Sequence, residues 1–83
     1  MRITLLYFAA ARERAGTDRE SLELPAGATA GQARARALEL HPTLRPIAGQ
    51  LRLAVDRSFA PDAQPLSDGS EVALIPPVSG GRP

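Results

Sequence analysis

The sequence contains no cysteine, no lysine and no tryptophan, and its only histidine is His41. Without cysteine the chain can form neither a disulfide framework nor a thiolate metal site, and it has no cysteine nucleophile. A single histidine rules out a histidine-rich metal cluster, so we expect no bound metal. The net charge is +1, and no basic stripe is interleaved with aromatic residues, which argues against nucleic-acid binding.

Long apolar segments are also missing. The longest uncharged hydrophobic run, from Ile3 to Ala11, is too short to span a bilayer and lacks the features of a cleavable signal peptide. We therefore expect a cytoplasmic protein with no membrane partner. The 83 residues are 43% hydrophobic and 23% charged, which is typical of one small soluble domain.

Alternating apolar residues predict five short strands around one main helix. A short helical stretch, Ala9 to Ala15, closes at Gly16, which suits a left-handed cap. The predicted order is β-β-α-β-β-β, an α+β mixed sheet with the helix across one face and the first and last strands as parallel neighbours. The predicted strands are Arg2–Phe8, Glu20–Leu24, Leu51–Val55, Phe59–Ala60 and Glu71–Ile75.

The main helix has clear start and stop signals. Thr29 and Gln32 have the spacing of a capping box, and the helix should end at His41 because the residue before Pro42 avoids helical angles. We expect His41 to face solvent there. The predicted apolar stripe of the helix is Ala30, Ala33, Ala37 and Leu40. Three aspartates in turns are expected to bond their own backbone rather than a metal: Asp56, Asp62 and Asp68.

The last eight residues form a tail, 76–83, that follows a predicted domain, 1–75. Pro76 and Pro77 favour extended geometry, so the segment to Gly81 can reach on the order of 20 Å from the fold. Gly80 and Gly81 carry no side chain and can enter a narrow channel where a β-carbon would collide. This pattern indicates a carboxyl end that is threaded into another protein's active site. A Pro/Gly tail without function is the alternative.

Several segments together carry a family resemblance. The strongest is the ending Asp-Gly-x-Glu-Val…Pro-Pro-Val-x-Gly-Gly, which runs from Asp68 to Gly81. The chain resembles the small subunits of molybdopterin synthase, which are β-grasp, ubiquitin-like sulfur carriers, over residues 1–81. The other matching segments are Tyr7–Glu13, Thr29, Leu53–Asp56 and Leu66–Val72.

The resemblance implies a carrier that is not an enzyme on its own and binds no cofactor. A ubiquitin-activating-like adenylyltransferase would use ATP to adenylate Gly81, which is then converted to a thiocarboxylate. The tail would insert into the large subunit of the synthase and give its sulfur to cyclic pyranopterin monophosphate. The inserted residues are Pro76, Pro77, Val78, Ser79 and Gly80.

Carriers of this family normally finish at the second glycine, whereas here Arg82 and Pro83 follow. As written, Gly81 lies in a peptide bond and has no carboxylate to adenylate. Three interpretations compete: a precursor trimmed by a protease, which we favour, a fragment of a fusion to the large subunit, or a remnant of cloning.

Four apolar residues are expected on the sheet face away from the helix: Leu6, Phe8, Phe59 and Ile75. An exposed apolar patch on a small domain usually marks a partner surface, so we predict that these residues contact the large subunit. The alternative is that some of them belong to the core or lie under a loop.

Three other functions stay open. The chain could carry sulfur for thiamin, cysteine or thionucleoside synthesis, it could be a protein modifier that joins its glycine end to lysines, or it could be a β-grasp binding module. The lack of lysine fits either genomic base composition or a carrier that avoids acylating its own copies.

Overall fold

The strands of this molecule form where apolar and polar residues alternate along the chain. The computed structural model of the chain describes residues 1–77. Its strands are β1 (Arg2–Tyr7), β2 (Arg19–Glu23), β3 (Arg52–Val55), β4 (Ser58–Phe59) and β5 (Glu71–Ile75). Its helices are α1 (Ala9–Ala15) and α2 (Ala30–Leu40), and a 3-10 segment (Pro42–Gln50) follows α2.

The sheet order is β2-β1-β5-β3-β4, with β1 and β5 parallel and the other neighbours antiparallel. The predicted class, the order of the elements and the parallel pairing of the first and last strands are therefore confirmed. The predicted left-handed cap of α1 is present at Gly16, which has a φ of 79° and donates its N–H to the Arg12 carbonyl.

The face of the sheet that packs against α2, here called the inner face, contains the core. Ile3, Leu5 and Tyr7 of β1 point to it and are at most 1% exposed, as their alternation predicts. Val72 and Leu74 of β5 lie beside them and are fully buried. The opposite side of the sheet is called the outer face.

Helix α2 meets the inner face through small side chains. Ala30, Ala33 and Ala37 are fully buried, so the predicted stripe is confirmed for these three. The prediction for Leu40 is wrong, because its side chain is 44% exposed. The chain leaves the helix one residue later, and Leu44 of the 3-10 segment is fully buried in the core instead.

Partners outside the helix satisfy the first N–H groups of α2. The capping box is present: the Thr29 N–H donates to Gln32 Oε1 at 2.8 Å, and the Gln32 N–H donates to Thr29 Oγ1 at 3.3 Å. The Ala30 N–H donates to the carbonyl of Gln64 at 2.9 Å. Because helix starts leave such donors free, these bonds fix α2 to the segment that precedes β5.

Gly31 is the point of closest approach between α2 and that segment. Its N–H donates to the Asp62 carbonyl at 2.9 Å, and a β-carbon at position 31 would lie 2.9 Å from Asp62 Cβ and 3.2 Å from Asp62 O. The Asp62 carboxylate also pairs with the Arg34 guanidinium. A glycine is therefore required here for steric reasons.

The three turn aspartates bond to neighbouring segments rather than to their own turns, so that expectation is wrong. Each turn lies against the end of a strand or helix, which brings a different donor within reach. Asp56 Oδ1 accepts a 2.9 Å hydrogen bond from the Glu71 N–H, and Asp68 Oδ1 accepts a 2.7 Å hydrogen bond from the Arg2 N–H. The Asp62 carboxylate pairs with the Arg34 guanidinium.

The prediction that His41 faces solvent is wrong, because its side chain is only 20% exposed. Its Nε2 lies 2.7 Å from Glu20 Oε2, and the same oxygen accepts a 2.6 Å hydrogen bond from the Tyr7 hydroxyl. The Tyr7 and His41 rings meet edge to face at 5.4 Å. This cluster joins β1, β2 and the end of α2.

Gly31→Ala is expected to destabilise the fold by about 1 kcal/mol or more, since overpacking against backbone atoms outweighs the gain in helix propensity. Urea unfolding measures the change. The matched control is Gly49→Ala, because a β-carbon at position 49 would have no heavy atom within 4 Å beyond its chain neighbours. Equal free energies of unfolding for the two variants would contradict the close contact at Gly31.

Stability should fall above about pH 10, the ordinary pKa of tyrosine. Burial, and next the hydrogen bond to Glu20, hold the pKa of Tyr7 far above that value in the folded state. The unfolded chain therefore releases a proton that the folded chain retains, and unfolding becomes easier by up to about 1.4 kcal/mol per pH unit.

This slope can be assigned to Tyr7, because it is the only tyrosine and the chain has neither cysteine nor lysine. Urea unfolding between about pH 9 and 11 measures the slope, and Tyr7→Phe should remove it. Phenolate absorbance that rises near pH 10 while circular dichroism remains native would show that Tyr7 is not protected.

Candidate functional site

One row of side chains crosses all five strands on the outer face. In the sheet register, Leu6 stands between Arg19 of β2 and Ala73 of β5. Ala54 of β3 stands between Ala73 and Phe59 of β4. With strands about 4.8 Å apart, the row spans roughly 19 Å.

The protein surface is recessed at the centre of this row, because the side chains there are smaller than those on both sides. Ala54 and Ala73 carry only a methyl group and are 6% and 7% exposed, while larger side chains stand on both sides. The result is an open groove with an alanine floor, here called the outer-face groove. Its lining residues are Leu6, Phe8, Arg19, Ala54, Arg57, Phe59, Glu71, Ala73 and Ile75.

The groove brings together all four apolar residues that alternation placed on this face. Phe8 and Phe59 are 45% and 60% exposed, and Leu6 and Ile75 are half-buried at its walls. The two phenylalanines are the only ones in the chain, so the fold leaves both largely uncovered. The role of the four residues in binding a partner stays a prediction.

Phe8 lines the groove because the hydrogen bonding between β1 and β5 continues for one residue past the end of β1. The Phe8 backbone is extended (φ −116°, ψ 148°), and its N–H donates to the Leu74 carbonyl at 3.3 Å. The side chain therefore follows Leu6 on the outer face, at the same end of the sheet as Ile75. An apolar surface of this kind is typical of a docking site.

Charged groups border the groove. The Arg19 guanidinium lies 4.0 Å from the Glu71 carboxylate, and the Arg52 guanidinium lies 4.0 Å from the centre of the Phe59 ring. The exposed side chain of Arg57 lines the groove at the β3–β4 turn. The ionisable residues of the lining are Arg19, Arg57 and Glu71, a set that suits recognition rather than acid–base catalysis.

The chain leaves the sheet beside this groove. Strand β5 lies between β1 and β3, and Pro76 directly after it is still buried, whereas Pro77 is exposed. Pro77 is therefore the first exposed residue after β5, and the predicted boundary between the domain, 1–75, and the tail stays a prediction. The other tail residues for which the sequence predicts a role or a fate lie outside the described residues: Val78, Ser79, Gly80, Gly81, Arg82 and Pro83.

Residues 1–77 contain neither a metal-binding cluster nor a membrane-spanning helix. In that part of the chain, no group of three or more histidine, aspartate or glutamate side chains is arranged to hold a metal ion. The helices described there are also too short or too polar to cross a membrane.

Sequence reasoning missed the polar border and the floor of the groove. Alternation along β5 and β3 could have assigned Ala73 and Ala54 to the outer face, since their neighbours Leu74 and Leu53 are core residues. The sequence carries no signal that places Arg57 in the lining of the groove, because its position depends on the shape of the β3–β4 turn.

Comparisons with known proteins match the chain to one family. The model of the ThiS family matches residues 5–81. The molybdopterin synthase sulfur carrier subunit of Chlamydomonas reinhardtii is 39% identical over 83 residues, covering 98% of this chain and 100% of that protein.

Two solved structures share the fold. The crystal structure of SAMP1 from Haloferax volcanii superposes with a TM-score of 0.89 at 26% identity, over 98% of this chain and 100% of that one. In the complex of subunits 1 and 2 of the molybdopterin-converting factor from Helicobacter pylori, the matching chain has a TM-score of 0.72 at 22% identity. That match covers 98% of this chain and 100% of the other.

Proposed function

The chain belongs to the ThiS family, and we propose that it is the sulfur-carrier subunit of a molybdopterin synthase. One observation carries the proposal: the 39% identity with a molybdopterin synthase sulfur carrier subunit extends over 98% of the chain. The family match also runs through Gly80 and Gly81, the residues on which the chemistry depends.

In this proposal the reacting atoms are those of the Gly81 carboxylate. A carboxylate is a poor electrophile, so an activating enzyme first joins it to AMP from ATP and releases pyrophosphate. A sulfur nucleophile then displaces AMP and leaves a thiocarboxylate. In the large subunit, that sulfur passes to cyclic pyranopterin monophosphate. The chain itself supplies the carrier group and the surfaces that deliver it, in the cytoplasm.

The outer-face groove is proposed to hold the large subunit while the tail enters its active site. The five residues from Pro77 to Gly81 can extend roughly 15–18 Å from the domain. Covering Phe8 and Phe59 would remove exposed apolar area, and full burial of a phenylalanine is worth about 1.5–3 kcal/mol. A fixed domain with a narrow glycine end thus suits delivery into a recessed site.

Removal of Arg82 and Pro83 by a protease is proposed to come first, because only a chain that ends at Gly81 has the required carboxylate. A version ending at Gly81, incubated with the activating enzyme, ATP and a sulfur donor, should gain the mass expected for replacing one oxygen by sulfur. The full 83-residue chain and a version with Gly81→Val are the controls. Sulfur loading of the untrimmed chain would contradict the requirement for trimming.

The same experiment separates the carrier from the protein-modifier alternative. A carrier yields the thiocarboxylate, and with the large subunit it yields molybdopterin. A modifier yields adducts in which Gly81 is linked to lysine side chains of other proteins. If only lysine adducts form and no thiocarboxylate appears, the proposed function is wrong.

Ile75→Lys should weaken binding to the large subunit by at least tenfold, because it places a charge within the apolar wall of the proposed contact. The fold should remain, since Ile75 is half-buried and points away from the core. Calorimetric titration measures affinity and circular dichroism monitors folding. An unchanged dissociation constant in a folded variant would exclude the groove as the docking surface.

A further inference from the structure

The turn between β3 and β4 has a backbone geometry that its sequence does not favour. Asp56 and Arg57 connect the two strands, with φ angles of 49° and 74°. A two-residue hairpin with both φ angles positive is a type I′ turn, in which glycine is the preferred second residue. For a side chain as large as arginine, this left-handed conformation carries strain.

The contacts of Asp56 account for its own conformation, whereas those of Arg57 do not. The Asp56 N–H donates to the Glu71 carbonyl at 2.9 Å, and its Oδ1 accepts the Glu71 N–H at the same distance. Aspartate also tolerates the left-handed region. Within residues 1–77, no carboxylate lies within ion-pair distance of the Arg57 guanidinium.

Glycine at position 57 would remove the backbone strain of the turn. The position of the Arg57 side chain suggests why an arginine is present there instead. Its side chain is exposed and lines the outer-face groove next to Phe59. Glu71 is the only carboxylate of the lining, and it already faces Arg19. Together with Arg52, whose guanidinium lies over the Phe59 ring, Arg57 gives this end of the groove an excess of positive charge.

We propose that Arg57 is a specificity-determining residue that pairs with a carboxylate on the large subunit. The matching segment of the large subunit would place an apolar side chain on the floor formed by Ala54 and Ala73, with an aspartate or glutamate beside it. The inference rests on the proposed function. It adds the chemistry of the partner: an apolar anchor flanked by negative charge.

Arg57→Gly is expected to stabilise the fold but to weaken binding to the large subunit. Because the two changes run in opposite directions, an effect on binding cannot be mistaken for a loss of stability. Relief of the backbone strain should raise the melting temperature by roughly 4 °C in a domain of this size. Loss of the ion pair should weaken binding to the large subunit about tenfold or more, and Arg57→Glu should weaken it further. The affinity of Arg57→Gly should also depend less on salt concentration.

Calorimetric titration of the folded variants with the cognate large subunit, at low and high salt, tests this. Arg45→Glu is the matched charge control, because Arg45 is exposed in the 3-10 segment and does not line the groove. It should bind like the unchanged chain. Equal weakening by Arg45→Glu and Arg57→Glu would show a general charge effect and overturn the assignment.

Failure of the inference can be distinguished from failure of the proposed function. If Arg57→Gly binds as tightly as the unchanged chain while Ile75→Lys does not bind, the groove is the docking site but Arg57 does not determine specificity. A lower melting temperature for Arg57→Gly would overturn the strain argument. If the unchanged chain itself does not bind the large subunit, the proposed function fails, and this inference fails with it.

Discussion

The parallel pairing of β1 with β5 is the constraint on which the rest of the molecule depends. It joins the first and last strands at the centre of the sheet, with Leu5 beside Val72 on the inner face and Leu6 beside Ala73 on the outer face. The inner pair lies in the core under α2, and the outer pair forms part of the groove. Because β5 is central, the chain that follows it becomes exposed at Pro77, after the buried Pro76, beside that groove. One pairing therefore connects the core, the outer-face groove proposed as the docking surface, and the point at which the described chain leaves the sheet.

The two faces of the sheet follow different rules of composition. The inner face combines large side chains on the strands with alanines on α2, which lets the helix lie close to the sheet. The outer face has alanines on the central strands and exposed phenylalanines at either side. The first arrangement fills space within the chain, and the second leaves space that another protein can fill. A domain of 83 residues can thus hold one complete core and still present an apolar surface.

Local signals in the sequence were sufficient to predict the strands and the two α-helices. They were not sufficient to predict which side chains meet when these elements pack. The alternation of Ile3, Leu5 and Tyr7, the capping box at Thr29 and the left-handed glycine at the end of α1 each act within a few residues, and the structure confirms them. His41 was misjudged because its partner, Glu20, is 21 residues away and meets it only after the sheet and α2 have packed. The groove residues predicted from alternation do share one face. The pairing of Ala54 with Ala73, in contrast, is a property of strand register, which no local signal fixes.

The buried position of Pro76 has a consequence for the kinetics of delivery. Because the chain is buried against the domain up to that residue, only four residues, 77–80, lie between Pro76 and Gly81. In the proposed complex, docking of the domain would confine the glycine end to a small volume near its target, which corresponds to an effective concentration on the order of millimolar. Delivery of the end then becomes an intramolecular event whose rate does not depend on how dilute the carrier is.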